Sequence, residues 1–276
     1  NVKQFFSTGC TELDIMLSNR KNGGIPTGRI IEFLGLEGSG KSMVSAHVIA
    51  NAQKRGAYTV LFDTEFAVNQ EFFSAIGVDF DKLILVHPRS VEETFENLEK
   101  IVEIVRTKKD IAEKGVVIVI DSMSALPANA DLEAGYELEG FRTQKPRLLS
   151  MNIPKVLRLI AEENISLIIT NQYRMKMNPM PNEDKYTTSG GMATRYYASL
   201  RVAFSIIGKI TVGENHAVGV KIKAKSTKSR FGGSQQTCEF DVYFDRGIDN
   251  NTSLLKTLKK IEIVEVNGAW YSYTDV

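Results

Sequence analysis

An eight-residue segment between a short apolar run and a helix-like stretch has the residue types of a phosphate-binding loop. Gly35-Leu36-Glu37-Gly38-Ser39-Gly40-Lys41-Ser42 fits the pattern G-x-x-x-x-G-K-[ST]. The glycines let successive backbone N–H groups approach an anion, and the N-terminal end of the following helix adds positive potential. We expect Lys41 to reach the β- and γ-phosphates and Ser42 to offer a hydroxyl ligand to Mg²⁺. The segment therefore predicts a nucleoside triphosphate site with magnesium.

Polar side chains that follow three other apolar runs are candidates for the rest of this site. Asp121 ends an aliphatic run, where a carboxylate can hold a magnesium-bound water, and Ser122 beside it is expected near the γ-phosphate. Glu65 is a candidate for polarising the attacking water. Gln172 carries an amide that can hydrogen-bond a γ-phosphate and respond to its loss. On position alone, Glu65 and Gln172 are equally well explained as solvent-exposed or turn side chains.

Apolar runs alternate with helix-period segments over the first two thirds of the chain, which predicts a doubly wound, mostly parallel α/β sheet. The expected buried strands are residues 30–34, 58–62, 83–86, 116–120 and 166–170. The expected helices are residues 42–54, 70–76, 91–107 and 147–163. Alternating strands at 200–206, 217–223 and 237–244 should extend the sheet in antiparallel fashion. We expect one core over 1–248, with a helix at 253–260 and strands at 261–266 and 270–273 packed on it within 249–276.

Charge and cysteine content limit the function classes. The net charge of the 276 residues is +1, but residues 142–230 hold 16 Lys and Arg against 5 Asp and Glu, so this stretch is +11 and the remainder −10. Such polarity is compatible with nucleic-acid binding and also with an ordinary solvated surface. Cys10 and Cys238 lie far apart, which indicates neither a zinc site nor a disulfide framework. We expect a reducing, cytoplasmic location without membrane insertion.

Short motifs follow one another in a recognisable order along nearly the whole chain. Besides the phosphate loop they are Ser7-Thr8-Gly9, Leu13-Asp14, the segment 24–30, Asp63-Thr64-Glu65, Asp121-Ser122, the segment 171–176, Thr188-Ser189-Gly190-Gly191, Tyr197-Ala198-Ser199 and the segment 268–273. The phosphate loop is shared with many NTPases, whereas Asn-Gln-x-Arg-Met-Lys followed by Gly-Gly and Tyr-Ala-Ser is far more specific. This set resembles the core of bacterial and phage RecA-type recombinases.

The resemblance implies an activity and a set of partners. It implies an ATPase, dependent on single-stranded DNA and Mg²⁺, that forms a helical filament and pairs the strand with homologous double-stranded DNA in recombination and repair. It further implies that Glu65 activates water and that Gln172 is the nucleotide switch. Mediator and single-strand-binding proteins are possible further partners. A ring helicase motor and a non-catalytic ATP-binding assembly module are the alternatives.

The resemblance also implies that residues 128–141 and 173–191 are the two DNA-binding loops. Their composition agrees with this role, because cationic side chains can contact phosphates and small residues expose backbone N–H groups. The residues implied to bind DNA are Arg147, Arg174, Lys176, Ser189, Gly190 and Gly191, with Lys185 as a further charge and Met180 as a possible wedge between bases.

Cations from a neighbouring protomer are implied as well. In a basic stretch with Lys221, Lys223 and Lys225, the residues Lys228 and Arg230 match the pair of fingers that reach the ATP of the next copy. A solvated edge strand is the simpler explanation of this stretch. The second finger is lysine in the bacterial pattern, and arginine here differs in being planar and bidentate.

Three residues match the family positions around the adenine. They are Asn69, Phe72 and Phe244, and core packing explains the two phenylalanines equally well. From the residues given, we expect this chain to lack the family's N-terminal helix and strand, which dock onto the next protomer, so its assembly into a filament is an open question and isolated protomers should hydrolyse ATP slowly. Arg230 and the divergent first loop favour a phage-encoded protein over a bacterial one.

Overall fold

A computed structural model describes most of the chain. The described residues are 2–133, 144–175, 186–188, 193–213, 216–232, 235–268 and 270–273, with the backbone alone at 174, 175 and 186–188. Within these ranges no helix combines the length and the apolar character needed to cross a lipid bilayer.

Five parallel strands form the centre of the structure, preceded by a small antiparallel pair, β1 (Phe5–Phe6) and β2 (Ile25–Pro26). The five are β3 (Arg29–Gly35), β4 (Tyr58–Asp63), β5 (Leu83–Val86), β6 (Val116–Asp121) and β7 (Ile165–Met175). Their order across the sheet is β3-β7-β6-β4-β5, and each neighbouring pair is parallel. The predicted mostly parallel α/β sheet is confirmed.

Four later strands extend this sheet beyond β3. They are β9 (Leu200–Val212), β10 (His216–Ser229), β11 (Thr237–Tyr243) and β12 (Gly247–Ile248), with β8 (Tyr186–Thr188) paired to the end of β7. β9 joins β3 in parallel, and the successive pairs β9–β10, β10–β11 and β11–β12 are antiparallel. Because β10 pairs on both sides, the interpretation of its lysines as an edge that resists pairing is wrong. Lys221 and Lys223 instead face Asp241 and Glu239 of β11.

Helices connect the parallel strands and cover both faces of the sheet. The main connecting helices are α2 (Lys41–Lys54), α3 (Gln70–Ile76), α4 (Val91–Thr107) and α7 (Gln144–Ile160). The remaining elements are α1 (Thr11–Ser18), a 3-10 turn (Phe80–Lys82), α5 (Lys109–Lys114), α6 (Asn129–Glu133), α8 (Ala193–Tyr197), α9 (Asn250–Lys260), β13 (Val264–Asn267) and β14 (Trp270–Tyr273).

Several predicted bounds were wrong. The strands β7, β9 and β10 end five or six residues later than expected, and α9 begins three residues earlier. Two other differences have local reasons. The helix expected at 147–163 begins at Gln144 and ends at Ile160, where a turn closed by the Glu163 N–H and the Ile160 carbonyl leads into β7. The strand expected at 261–266 begins at Val264, because the N–H groups of residues 261 and 263 still bond to carbonyls of α9 and Glu262 has a positive φ. The division at residue 248 stays a prediction.

The strands carry two hydrophobic cores, one on each face of the sheet. Along β6, Val117 and Val119 belong to one core, whereas Ile118 and Ile120 belong to the other. Successive side chains of a strand point to opposite faces, so a strand covered on both sides is apolar at most positions. This explains why the parallel strands are continuous aliphatic runs.

The C-terminal helix α9 is fastened to the beginning of the chain. The backbone N–H of Thr11 donates to Asn250 Oδ1 (2.8 Å), and the N–H of Glu12 donates to Ser253 Oγ (3.1 Å). Both cysteines are buried and free, and Cys10 Sγ lies 3.2 Å from Ser253 Oγ. Hydrogen bonds between distant segments therefore hold α1 and α9 together.

A buried histidine links the phosphate-loop helix to the last strand of the sheet. His47 Nε2, on α2, accepts a hydrogen bond from the backbone N–H of Ile248 (2.9 Å), and this fixes the neutral tautomer protonated at Nδ1. Burial lowers its pKa from 6.5 to about 4. Protonation would cost stability, because the cation is desolvated and the acceptor is lost.

We expect acidification to destabilise the fold through His47. Its pKa is lower in the folded chain than in the unfolded chain, so its contribution is complete above the unfolded pKa and is lost as the pH falls towards the folded pKa. Urea unfolding should show a loss of about 2 kcal/mol from this residue between about pH 7.5 and pH 5.

The matched control is His47→Gln, whose side-chain oxygen can accept from Ile248 but does not titrate in this range. Burial raises the pKa of Asp14 to about 6, so acidification stabilises the fold through Asp14 and destabilises it through His47. Asp14 is present in both the unaltered protein and the variant, so its effect cancels when their stabilities are subtracted. Parallel pH profiles for the two proteins would contradict the assignment to His47.

Candidate nucleotide-binding site

The predicted site residues come together because parallel strands end at one edge of the sheet. The register places Gly35 of β3 opposite Gln172 of β7, and Asp63 of β4 opposite Asp121 of β6. Ligands of open α/β sheets bind at this carboxyl edge. The topology thus collects residues that are more than a hundred positions apart in sequence.

Two glycines of the phosphate loop are required, Gly35 mainly by the backbone that lies against it and Gly40 mainly by its positive φ. A Cβ on Gly35 (φ +158°) would lie 2.7 Å from the carbonyl oxygen of Phe204, and one on Gly40 (φ +96°) would lie 2.4 Å from Ile222 Cδ1. Gly40 is the N-cap of α2 and lets the chain turn directly into that helix. Leu36, Glu37 and Gly38 are exposed, whereas Ser39 is buried.

Lys41 lies inside the curve of the loop. Its Nζ donates to the carbonyl of Leu36 (2.8 Å), and it lies 3.3 Å from the carbonyl of Gly35 and 3.4 Å from Ser39 Oγ. Burial lowers the pKa of Lys41, and the nearby charges of Asp121, Glu65 and Glu37 oppose that shift. A phosphate would compensate this desolvated cation. The contact of Lys41 with a phosphate stays a prediction.

Ser42 and Asp121 form the pair expected to hold magnesium. The Ser42 hydroxyl donates to the Asp121 carboxylate, which also accepts from Thr170 Oγ1 (2.6 Å). Burial raises the pKa of Asp121, while these two hydrogen bonds lower it. A hydroxyl and a carboxylate are hard oxygen donors of the kind that Mg²⁺ prefers, so the donor set fits the ion.

Glu65 and Gln172 meet at one carboxylate oxygen. Glu65 Oε1 accepts from Ser122 Oγ (2.5 Å) and from Gln172 Nε2 (3.3 Å). The candidate base and the candidate switch are therefore in direct contact, and Ser122 lies between them and Asp121.

Two residues for which the sequence predicted no role complete this cluster. Ser124 Oγ lies 2.9 Å from Ser122 Oγ and accepts from the backbone N–H of Gln172 (3.4 Å). Thr64 Oγ1 donates to the carbonyl of Ser122 (2.8 Å) and accepts from its N–H (2.7 Å). Their hydroxyls look like ordinary loop residues in sequence, and only the meeting of β4, β6 and β7 reveals their role.

A buried ion pair holds the strands beneath the switch. The guanidinium of Arg201 on β9 donates to Glu32 Oε2 on β3, and Asn171 Nδ2 on β7 donates to Glu32 Oε1 (2.7 Å). Glu32 and Asn171 are fully buried. The residue immediately before Gln172 is therefore tied to β3 and, through Glu32, to β9.

The three residues expected around the adenine differ in their surroundings. Asn69 Oδ1 accepts from the backbone N–H of Phe72 (2.9 Å), so this side chain caps α3. Phe72 is partly buried and packs against a core, whereas Phe244 is 53% exposed. A base-binding role for these three residues stays a prediction.

The two cationic finger candidates differ in their surroundings. Lys228 Nζ donates to the carbonyls of Arg195 (2.9 Å) and Tyr196 (2.7 Å) at the end of α8. Burial lowers the pKa of Lys228, and the charges of Arg230 and Arg201 add to the shift. Arg230 is exposed, and its backbone N–H donates to Ser199. Neither finger candidate belongs to the cluster around Glu65 within this chain.

Most predicted DNA contacts lie outside the described residues. Lys176, Ser189, Gly190 and Gly191 are among these, as are Lys185, Met180 and residues 134–143 of the first loop. The described part includes Arg147, which is exposed on α7, and the backbone of Arg174 in β7. β8 pairs with residues 173–175 of β7, so this described part of the second loop follows directly after Gln172.

Comparisons with known proteins give matches along nearly the whole chain. A family model described as the RecA N-terminal domain matches residues 1–249. The protein RecA of Helicobacter pylori is 34% identical over 270 residues, which cover 98% of this chain and 74% of that protein. The protein RecA of Wolinella succinogenes is 35% identical over 269 residues, covering 98% and 73%, and that of Nitratiruptor sp. is 34% identical over 272 residues, covering 98% and 75%.

Breaking the ion pair beneath Gln172 should destabilise the protein strongly. Arg201→Leu leaves the fully buried Glu32 carboxylate with Asn171 as its remaining hydrogen-bond donor, and such a change costs about 3–5 kcal/mol of unfolding free energy. Chemical denaturation measures this loss.

The matched double variant is Glu32→Gln with Arg201→Leu. It removes the unpaired charge and keeps the acceptor for Asn171, so it should recover a large part of the loss. Equal stability of the single and the double variant would show that the charge of Glu32 is not what Arg201 compensates.

Proposed function

Because the chain belongs to the RecA family of recombinases and acts in recombination and repair, we propose that it hydrolyses ATP in a reaction stimulated by single-stranded DNA. The observation that carries the proposal is the shared contact on Glu65 Oε1, which joins the candidate base to the candidate switch. An ATPase that is coupled to DNA must link the group that activates water to the group that senses the γ-phosphate. Here these groups are the Glu65 carboxylate and the Gln172 amide.

The phosphate loop supplies binding and charge. The loop backbone and Lys41 hold the triphosphate, and Ser42 with Asp121 holds Mg²⁺, which neutralises phosphate charge when bound. Glu65 orients the attacking water and accepts its proton. Ser122 keeps the carboxylate in place, since its hydroxyl donates to Oε1. Asn69, Phe72 and Phe244 are proposed to surround the adenine.

Gln172 is proposed to transmit the state of the nucleotide. It can donate to Glu65 or to a γ-phosphate, and it lies three residues before the end of β7, where the second loop departs. A change of partner at the amide would therefore act directly on residues 173–191. This is an order-disorder type of switch.

Assembly and DNA binding follow from the family and from the charge pattern. We propose that protomers form a filament in which Lys228 and Arg230 reach the ATP of the next copy, where cations stabilise transition-state charge. Residues 142–230, with a balance of +11, would provide the surface for single-stranded DNA and the homologous duplex. The proposed DNA contacts are Arg147, Arg174, Lys176, Ser189, Gly190 and Gly191. The organisms named above are bacterial, and nothing in the comparisons supports a phage origin.

The test of the proposal is ATP turnover with and without single-stranded DNA at several salt concentrations. We expect stimulation by DNA that weakens steeply with salt. Glu65→Gln should lower kcat about a hundredfold or more and leave ATP affinity within a few-fold, because the amide keeps the hydrogen bonds but cannot accept a proton. Lys41→Ala should weaken ATP binding itself.

The two variants separate the chemical step from ATP binding, because Glu65→Gln should affect only the first and Lys41→Ala should affect the second. If ATP binds but DNA neither stimulates turnover nor binds with a salt-dependent affinity, the proposed activity is wrong for this chain. A Glu65→Gln protein with normal turnover would exclude Glu65 as the base while leaving DNA dependence intact.

Removing the amide of Gln172 should uncouple nucleotide from DNA. In Gln172→Leu, the affinity for single-stranded DNA should be the same with ADP and with a non-hydrolysable ATP analogue, whereas the unaltered protein should bind more tightly with the analogue. Fluorescence anisotropy of a labelled oligonucleotide measures both affinities. Retention of the analogue-dependent gain in the variant would contradict the switch role.

A further inference from the structure

An exposed aromatic ring stands directly beside the candidate base. Phe66 follows Glu65, and its side chain is 75% exposed. Its ring stacks on the imidazole of His87 with centroids 4.7 Å apart and planes 7° from parallel. One face of Phe66 is thus covered by His87, and the opposite face is open to a partner.

The position of this ring is held from several sides. His87 Nδ1–H donates to the carbonyl of Asp63 (3.0 Å), which fixes the imidazole underneath. The carboxylate of Asp63 accepts from the N–H of Ala67 (3.2 Å) and of Val68 (3.3 Å), which fixes the chain on the other side of Phe66. Phe66 has φ +54°, a conformation that a bulky side chain seldom adopts. The turn therefore presents an aromatic face in a defined direction.

The finger candidate Arg230 has the chemistry that fits such a face. In the described part of the chain, no hydrogen bond or ion pair engages its guanidinium, whereas Lys228 is bound to the end of α8. A planar guanidinium stacks flat on an aromatic ring and keeps its N–H groups free for a phosphate, which an ammonium cannot do.

We propose that Phe66 positions the guanidinium of Arg230 from a second copy of this chain. The guanidinium stacks on the open face of Phe66, opposite His87, and its N–H groups point across Glu65 towards the γ-phosphate. Arg230 is the catalytic cation and Phe66 a positioning residue. This inference rests on the proposed cross-protomer ATP site and adds a residue and a contact geometry to it.

The first experiment is a double-mutant cycle on DNA-stimulated turnover at saturating ATP and DNA. Phe66→Leu keeps apolar bulk without an aromatic face and should lower kcat about tenfold. Phe66→Trp keeps an aromatic face and should have a kcat close to that of the unaltered protein. In an Arg230→Ala background, Phe66→Leu should cause no further loss. In Arg230→Lys its effect should be smaller than in the unaltered protein, because lysine is a point charge.

The second experiment shows whether the contact is made between copies. An equimolar mixture of Phe66→Leu and Arg230→Ala proteins should turn over faster than either alone, since some sites then combine a native Phe66 with a native Arg230 from different copies. If the two residues met within one chain, no native pair would form and the mixture would show no gain.

Several outcomes would overturn the inference and leave the proposed function standing. Additive effects of Phe66→Leu and Arg230→Ala would show that the residues do not interact. Weaker binding of a fluorescent ATP analogue to Phe66→Leu without DNA would show that the ring stacks on the base instead.

A different outcome would overturn the proposed function and this inference together. It is the absence of DNA-stimulated turnover in the unaltered protein.

Discussion

The parallel pairing of β3 with β7, in the register that places Gly35 opposite Gln172, is the constraint on which the site depends. It sets the beginning of the phosphate loop beside the switch candidate, and β6 and β4 then add Asp121 and Asp63 along the same edge. The Glu32 ion pair secures this register, because it joins β3, β7 and β9 below the site. If β3 slipped by one residue relative to β7, every side chain of β3 would point into the core on the opposite face of the sheet.

The same edge concentrates groups that are costly to bury. Burial lowers the pKa of Lys41 and raises that of Asp121, so each charge is disfavoured where it lies. Their mutual attraction offsets part of the cost, and hydrogen bonds from Ser42 and Thr170 to Asp121 offset more. A desolvated lysine interacts strongly with an anion, and a desolvated carboxylate interacts strongly with a hard cation. Strongly shifted pKa values are for this reason common among functional residues.

Much of this arrangement could be predicted from sequence, because parallel strands and phosphate loops leave strong local patterns. The bounds of α3, α4 and β5 agree with the prediction, and the phosphate loop and Asp121 lie where strand ends must meet. Ser124 and Thr64 could not be found in this way, since a serine or threonine in a loop has no periodicity. The ion pair between Glu32 and Arg201 was missed for a related reason, because a charge inside an apolar run gives no indication of its partner.

The two finger candidates show why similar cations need not have equivalent roles. Lys228 is engaged by carbonyls at the end of α8, the helix that follows the second loop, so its free energy depends on how that helix is placed. Arg230 lies two residues further on, beyond the end of β10, and carries no such contact in the described chain. If both cations reach the next copy as proposed, Lys228 must first release the two carbonyls of α8, whereas Arg230 has no such bond to break in the described chain. The two proposed fingers would then differ in what their engagement costs, and a planar guanidinium at the second position would suit the proposed stacking.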